Sequence, residues 1–330
     1  MPLTLRPARS TDADAIWRIF QQVVAAGDSY VFAAATSRAD AEQYFLMPGI
    51  ATFVADTDGD VVGFYKLVPN RRDRGAHVAN ASFMVDPTSA GRGIGNTLGR
   101  HCLEEARRRG YVSMQFNFVV STNVRAVALW QRLGFAIIAT MPRAFRHETL
   151  GDVDAYVMYR SLEDLPSPPE MPTFGERTRA YPWVERPSAY AIVTDERDRI
   201  ALVETPRGTF LPGGGIDPGE WAEITAVRET REECALDIRT TWFVGRATDL
   251  VVSEEEGHGF EKVSAFLAAD VIGRAAIEPQ ADHTLIWAAS VEDAARTLTR
   301  HGHIWAIEEW QRARTAWPEA HASSHGERRC

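Results

Sequence analysis

LPGGGIDPGEWAEITAVRETREECAL, residues 211–236, packs glycines and proline into its first half and acidic residues around arginine into its second. If Glu220 to Leu236 is largely helical, Glu229, Glu232 and Glu233 stand at i, i+3 and i+4 and share a face, with Ile224, Val227, Thr230 and Cys234 roughly opposite. Three carboxylates this close repel one another and raise one another's pKa unless a cation intervenes, and oxygen donors of this kind suit a hard divalent ion such as Mg²⁺ or Mn²⁺. The glycines ahead of the helix let backbone approach the same place closely. Acidic clusters are usually solvated helix faces, so the reading depends on what surrounds this one.

Upstream, AYAIVTDERDRIALVE reads as strand, turn and strand; downstream, strands are expected near Thr241–Val244, Val263–Ala268 and Thr284–Ala288, then helices near Val291 and Ile304. The stretch EDLPSPPEMPTFGERTRAYP, rich in proline and polar residues, reads as a linker. Before it, a strand at Leu3–Arg6 precedes a helix capped near Ser10-Thr11-Asp12, and ATFVADTDGDVVGFYKLV forms a hairpin turning at Asp58-Gly59. HVANASFMV, VSMQFNFVV and Val153–Tyr159 read as further strands, with helices through about Arg109 and from Asn123 to Leu133. The expected class is α/β (α+β) in two domains: residues 1–162, a linker at 163–180, residues 181–316, and a polar tail at 317–330.

With 330 residues, 45% hydrophobic and 25% charged, the chain is long enough for two cores. A formal net charge of -9 gives no general pull toward nucleic acid or an anionic bilayer, and neither is expected as a partner. Lys66 and Lys262 are the only lysines among many arginines, a bias that carries no function by itself. Cys102, Cys234 and Cys330 have no pairing or metal spacing. With no apolar run of membrane-spanning length and no basic-then-apolar leader, a cytoplasmic location is expected.

The opening stretch matches Gx5Ex7REUxEExGU, with Gly214, Glu220, Arg228, Glu229, Glu232 and Glu233 in register, and so resembles the Nudix hydrolases over about Ala180–Arg314. That resemblance implies an α/β/α sandwich that hydrolyses a nucleotide-type diphosphate with Mg²⁺ or Mn²⁺. It assigns metal binding to the Gly214 carbonyl, Glu232 and Glu233, gives Glu229 a metal-binding or catalytic-base role, and pairs Arg228 with Glu220. Thr230 stands at an apolar position, and Ala235 replaces the glycine after the helix. Glu254, Glu255, Glu256 and Glu261 are candidates for a further acidic ligand. TTWFVGRATDLVV carries neither the proline of ADP-ribose hydrolases nor the tyrosine of dinucleotide hydrolases, leaving nucleoside triphosphates or another nucleoside diphosphate-X compound; Trp242 and Phe243 are expected in the core or stacked on a base.

In the first half, VDPTSAGRGIGNTLGRHCLEEARRRGY places strand, glycines and helix N-terminus in the order that aims backbone N–H groups at an anion. With NVRAVALWQRLGF after it, the region resembles the GNAT acetyltransferases from about Met1 to Leu162: a mixed central sheet flanked by helices. The resemblance implies acetyl-CoA as co-substrate, its pyrophosphate held by Gly91, Arg92, Gly93, Ile94, Gly95 and Asn96, its pantetheine arm by the Val85 backbone, and a further contact from Asn123. Ala90 sits where Gln or Arg is usual, and Trp130 replaces the tyrosine that protonates the thiolate. NASFMVDP and QFNFVVSTNVRAVALWQRLGF resemble acetyltransferases of L-azetidine-2-carboxylate, which implies catalytic roles for Asn80 and Asn117.

The expectation is a bifunctional enzyme: an N-acetyltransferase for a small-molecule amine or amino acid analogue, fused to a metal-dependent pyrophosphohydrolase. The alternative is a single activity with the Nudix domain as its nucleotide-binding regulator. A homodimer through an edge strand is left open.

Overall fold

The computed structural model describes residues 3–166 and 171–316. The expected polar tail with Cys330 and residues 167–170 of the expected linker lie outside the described residues. The chain divides into two compact units, Met1–Pro168 and Pro169–Cys330.

The first unit runs β1 (Thr4–Pro7), α1 (Ala13–Ala25), α2 (Arg38–Leu46), β2 (Ala51–Thr57), β3 (Asp60–Pro69), β4 (Val78–Val85), α3 (Ile94–Arg108), β5 (Ser113–Val120), α4 (Val124–Arg132), β6 (Ala136–His147) and β7 (Gly151–Ser161). The strands form one sheet in the order β1-β2-β3-β4-β5-β7-β6, with β4 and β5 parallel and the other neighbours antiparallel. The β2–β3 hairpin turns at Asp58 and Gly59, whose φ of 54° and 92° suit a type I′ turn, and the Gly59 amide donates to Asp56 Oδ1 at 2.7 Å. Alternation splits the hairpin between two cores. Phe53 and Tyr65 pack with Leu98, Cys102 and Ala106 of α3, while Val54 and Phe64 pack with Ile16, Ile19 and Phe20 of α1 and Phe45 of α2.

Three local details depart from the sequence expectation. Ser10–Asp12 is a 3₁₀ turn, and the buried Asp12 carboxylate accepts from Arg6 at 2.7 and 2.8 Å and from the Arg9 amide at 2.6 Å rather than capping α1 forward. The unanticipated α2 buries only Ala41 and Phe45, too few positions for a clear helical period. The unanticipated β6 is mostly exposed and held by its ladder to β7.

The second unit runs β8 (Thr173–Phe174), β9 (Trp183–Glu185), β10 (Ser188–Thr194), β11 (Ile200–Thr205), β12 (Gly208–Phe210), β13 (Gly213–Gly215), α5 (Ala222–Cys234), β14 (Leu236–Ser253), β15 (His258–Arg274), β16 (Thr284–Ala288), α6 (Val291–Thr297) and α7 (His301–Ala316). The main strand order is β12-β11-β10-β15-β14-β8, with β13 on β10, β16 on β11 and β9 on β15. Strand β10 shows why helices cover both faces: Ala189, Ala191 and Val193 meet the α5 side, and Tyr190 and Ile192 meet the α7 side. Small alanines on the first face admit α5 closely. The strands expected near Thr241–Val244 and Val263–Ala268 are the middles of an 18- and a 17-residue strand, and register shifts between Asp237 and Gly245 interrupt their alternation. Within the expected linker, Thr173–Phe174 pairs with β14 as β8, because the Thr248 amide donates to the Pro172 carbonyl at 2.8 Å. Cys102 and Cys234 are buried free thiols, and among the described residues no helix is long and apolar enough to cross a membrane.

Helix α3 is tied by an ion network inside the first unit. Burial would raise the Glu105 carboxyl, but Arg108 and Arg109, at 2.7 and 2.8 Å, bring it down to about 2. A carboxyl with a depressed folded-state pKa stabilises above its unfolded value, and that contribution disappears as the pH falls through the folded one. Glu105→Gln is therefore expected to cost about 3–5 kcal/mol at pH 7 by removing the buried carboxylate that pairs with Arg108 and with the buried Arg109, and the gap from the parent protein should close between pH 4.5 and about 2 in denaturant unfolding.

Candidate active sites

In the first unit, β4 and β5 pair only at Val78↔Ser113 and Ala79↔Met114, then part. Farther along β5, its register with β7 shifts between Phe116 and Val119. A cavity of about 330 Å³ opens in the gap, with Asn80, Phe83, Asn117, Asn123 and Trp130 in its lining. Ser29–Phe32 and Tyr44 of α2 also line it.

The Asn117 side chain is fixed on both sides: Nδ2 donates to Asn70 Oδ1 at 2.6 Å, and Oδ1 accepts from Gln115 Nε2 at 2.8 Å. Asn123 lines the cavity and also caps α4, its Oδ1 accepting from the Ala126 amide at 3.2 Å. Trp130 is buried against Phe83 and Phe116, each 4.8 Å away between ring centroids, so this position supplies an aromatic wall. Tyr30 donates to the Phe83 carbonyl at 2.5 Å and Tyr44 bonds Ser82 at 3.0 Å, which holds the loop after α1 and helix α2 at the cavity. Asn70, Tyr30 and Tyr44 escaped the sequence reading, because their positions show only once β3 and the loop after α1 have folded around β4. Lys66 rests 3.0 Å from the Tyr44 ring centre and donates to the Tyr44 carbonyl at 3.1 Å; burial brings its ammonium down to about 7. His147 instead accepts from the turn amides of Thr149 and Leu150 at 3.2 and 3.4 Å, and neither it nor His77 lines the cavity.

Beyond Val85, Asp86 anchors the end of β4 by accepting from Arg18 at 2.5 Å and from the Thr88 amide and hydroxyl at 2.9 and 2.6 Å. Gly91 and Gly93 then take φ of +82° and +81°, with nothing within 4 Å of where a Cβ would be. The first backbone bonds of α3 are donated by Asn96 and Thr97 to the Gly93 carbonyl, so the amides ahead of them are available to an anion.

In the second unit, α5 and β13 bring the predicted residues together around Arg228. Its Nε and Nη2 donate to Glu220 at 2.8 and 2.9 Å, and its Nη1 to Glu229 and Glu232 at 3.0 and 3.2 Å. Arg228, mainly through hydrogen bonding, holds the Glu220 carboxyl below its ordinary value. A Cβ on Gly214 would come 2.6 Å from Glu229 Oε1, so a larger residue here would push that carboxylate from its place. Glu233 departs from the shared exposed face: it is 8% exposed and accepts from the Gly213 amide at 2.9 Å. Burial raises its carboxyl to about 8, and burial also raises that of Glu229. The reason is rotation, since four residues of helix advance past a full turn and carry Glu233 toward β13. Ala235 keeps the helix end in place by adopting φ 51° itself, a left-handed conformation that costs an alanine about 1 kcal/mol.

Among the described residues, no three carboxylate, imidazole or thiol groups form a ready metal cluster. The oxygens nevertheless match a hard cation in kind, and Glu229 and Glu232 already converge on one cationic nitrogen. Gly213–Gly215 and Glu233 line a cleft of about 800 Å³. Glu254, Glu255, Glu256 and Glu261 do not line it; the first three lie in an exposed turn and Glu261 pairs with Arg177. Phe243 is in the core and Trp242 packs against the α7-side core.

The model of the acetyltransferase (GNAT) family matches residues 16–135, and that of the NUDIX domain residues 184–309. The chain is 37% identical over 123 residues to the N-acetyltransferase aca1 of Schizosaccharomyces pombe, covering 36% of this chain but only 58% of that protein. It is 34% identical over 114 residues to the L-amino acid N-acetyltransferase AaaT of Escherichia coli, covering 34% of this chain and 69% of that one. It is also 41% identical over 73 residues to the NAD-capped RNA hydrolase NudC of Pseudomonas putida, covering 20% and 25%.

Because Arg228 bonds Glu220, Glu229 and Glu232 at once, Arg228→Gln is expected to destabilise the second unit by about 1–3 kcal/mol. Arg228→Lys should recover little of the loss, since an ammonium lacks the planar fork. Thermal melts of the three proteins check both statements.

Proposed function

Because the chain belongs to the acetyltransferase (GNAT) family through its first unit and carries a NUDIX hydrolase domain in its second, we propose that it is a bifunctional enzyme. One activity transfers acetyl from acetyl-CoA to a small amine or amino acid; the other hydrolyses a nucleoside diphosphate-X compound or nucleoside triphosphate. The observation that carries the reading is that each unit leads a strand through glycines toward a helix and also holds a cavity, lined by Asn80, Asn117 and Asn123 in the first unit and by Gly213–Gly215 and Glu233 in the second.

In the acetyltransferase half, the amides of Gly91 to Gly95 receive the CoA pyrophosphate, with the Arg92 and Asn96 side chains beside them, and the Val85 backbone and Asn123 contact the rest of the cofactor. A neutral amine attacks the thioester carbonyl; the C–S bond breaks with its electron pair going to the thiolate, the new amide nitrogen gives its surplus proton to water, and water returns a proton to the thiolate. Asn80 polarises the carbonyl while Asn117, fixed by Asn70 and Gln115, orients the amine. The E. coli relative named for L-amino acids favours an acceptor of that size.

In the hydrolase half, the Gly214 carbonyl, Glu229, Glu232 and Glu233 would hold Mg²⁺ or Mn²⁺, which would supply positive charge to neutralise a diphosphate and to acidify water at the site. Arg228 and Glu220 brace the loop against α5, and Glu229 accepts the proton as water adds to phosphorus and the bridging P–O bond breaks toward the leaving phosphate.

Glu232→Gln is expected to lower phosphate release from a nucleotide panel, followed with coupled pyrophosphatase, about a hundredfold. Turnover unaffected by the substitution would place the activity elsewhere. Asn117→Ala should likewise lower kcat for thiol release from acetyl-CoA about a hundredfold across a panel of amines, with little change in KM for acetyl-CoA. A change confined to KM would refute its place at the reacting centre.

A further inference from the structure

The cleft of the second unit has a second wall that the Nudix motif does not contain. Arg186, Arg207, Lys262 and Arg300 all line it, from four different parts of the chain. Arg186 precedes β10, Arg207 lies between β11 and β12, Lys262 is on β15, and Arg300 precedes α7. Two of these groups are held from behind by rings. Arg300 stands 4.7 Å from the Phe210 ring centre and donates to the Tyr190 hydroxyl at 3.1 Å, and Arg186 stands 4.4 Å from the Phe260 ring centre.

Sheet register ties this wall to the glycine strand. Ser188 pairs with Gly215 on one side and with Ser264 on the other, so the three residues form one row across β13, β10 and β15. Arg186 and Lys262 are two residues before Ser188 and Ser264, and the Arg186 amide donates to the Glu261 carbonyl at 2.8 Å. By alternation, Lys262 shares its face with Ser264 while Glu261 turns away to Arg177. The cationic groups thus continue the row about 7 Å beyond the glycines.

Among the described residues, none of the four side chains forms an ion pair with a carboxylate. Burial and then the neighbouring Arg300, Arg186 and Arg207 bring the Lys262 ammonium down to about 8. Four cations gathered around a cleft repel one another, and a multivalent anion removes that repulsion. The cleft thus joins the Gly213–Gly215 strand and Glu233, which suit a metal-neutralised diphosphate, to clustered cations that suit additional phosphate charge and outnumber the nearby Asp249 and Asp282.

We propose that Arg186, Arg207, Lys262 and Arg300 form a polyphosphate subsite that selects a nucleoside triphosphate over nucleotides whose second half is uncharged. The proposal rests on the hydrolase reading above and narrows its substrate class. The cations bind the terminal phosphate oxygens, and Arg300, braced by Tyr190 and Phe210, fixes their position.

The test has two readouts on the full chain, each with wild type, Lys262→Gln and Arg207→Gln. Arg207 is exposed in a turn, so its replacement leaves the core untouched even if Lys262→Gln folds poorly. Calorimetric titration in EDTA should show inorganic tripolyphosphate binding about tenfold more tightly than pyrophosphate, and each substitution should remove most of that difference. With Mg²⁺, the ratio of kcat/KM for a nucleoside triphosphate to that for the matching diphosphate should fall about tenfold in each variant. Tripolyphosphate selectivity that the variants lose, without turnover of any nucleotide, would keep the subsite and overturn the hydrolase reading. Turnover abolished by Glu232→Gln, with a triphosphate preference that neither cation variant changes, would overturn the subsite and leave the hydrolase. A nucleotide sugar turned over faster than every triphosphate would also overturn it.

Discussion

Backbone stripped of side chains, where a strand gives way to a helix, is the constraint around which both units are arranged. In the first, Gly91 and Gly93 hold φ near +80° in open space ahead of α3. In the second, Gly213 at φ +143° would drive a Cβ to 2.2 Å from the Ala189 carbonyl, and Gly214 faces the Glu229 carboxylate. The reasons differ: the first loop uses glycine for conformation, the second for conformation and space together. In each case the packing of the following helix fixes where the bare backbone points. Leu98, Cys102 and Ala106 seat α3 in its core, and Ala226 and Cys234 seat α5 against small residues of β10.

Charge is handled differently in the two units. The described lining of the acetyltransferase cavity is aromatic and amide, with no carboxylate, so orientation falls to fixed hydrogen-bond partners such as Asn117 between Asn70 and Gln115. The Nudix cleft instead separates opposite charges. Arg228 bonds Glu220 ahead of α5 and Glu229 and Glu232 on it, Glu233 is buried against the Gly213 amide, and Arg186, Arg207, Lys262 and Arg300 line the cleft without an ion pair to a carboxylate among the described residues. Burial of Glu233 raises its carboxyl and burial of Lys262 lowers its ammonium, so each group is less easily charged than in water until something of opposite sign arrives.

Both family signatures were legible because they are local. A glycine turn followed by i, i+3 and i+4 carboxylates occupies one loop and one helix, and its spacing survives whatever the rest of the chain does. The pairing of Arg228 with Glu220 follows from that same short segment. What spacing could not give was direction: Glu229, Glu232 and Glu233 look equivalent in sequence, yet β13 claims Glu233 and leaves the others partly exposed. Helix α2 and strand β6 were illegible for a related reason, since two buried side chains in one and an exposed ladder in the other leave little hydrophobic period to read.

The sequence by itself determined two α/β units, the glycine turns, the acidic helix, and the asparagines of β4 and β5, because each depends on residues near one another along the chain. Tertiary structure alone decided that β4 and β5 part after two paired residues, that Tyr30 and Tyr44 line the resulting cavity while Asn70 holds Asn117 there, and that Lys262 joins three arginines in the cleft that Glu233 lines. Those residues lie tens of positions apart, and only sheet register, which sets both the neighbour and the face of every side chain, brings them to one place.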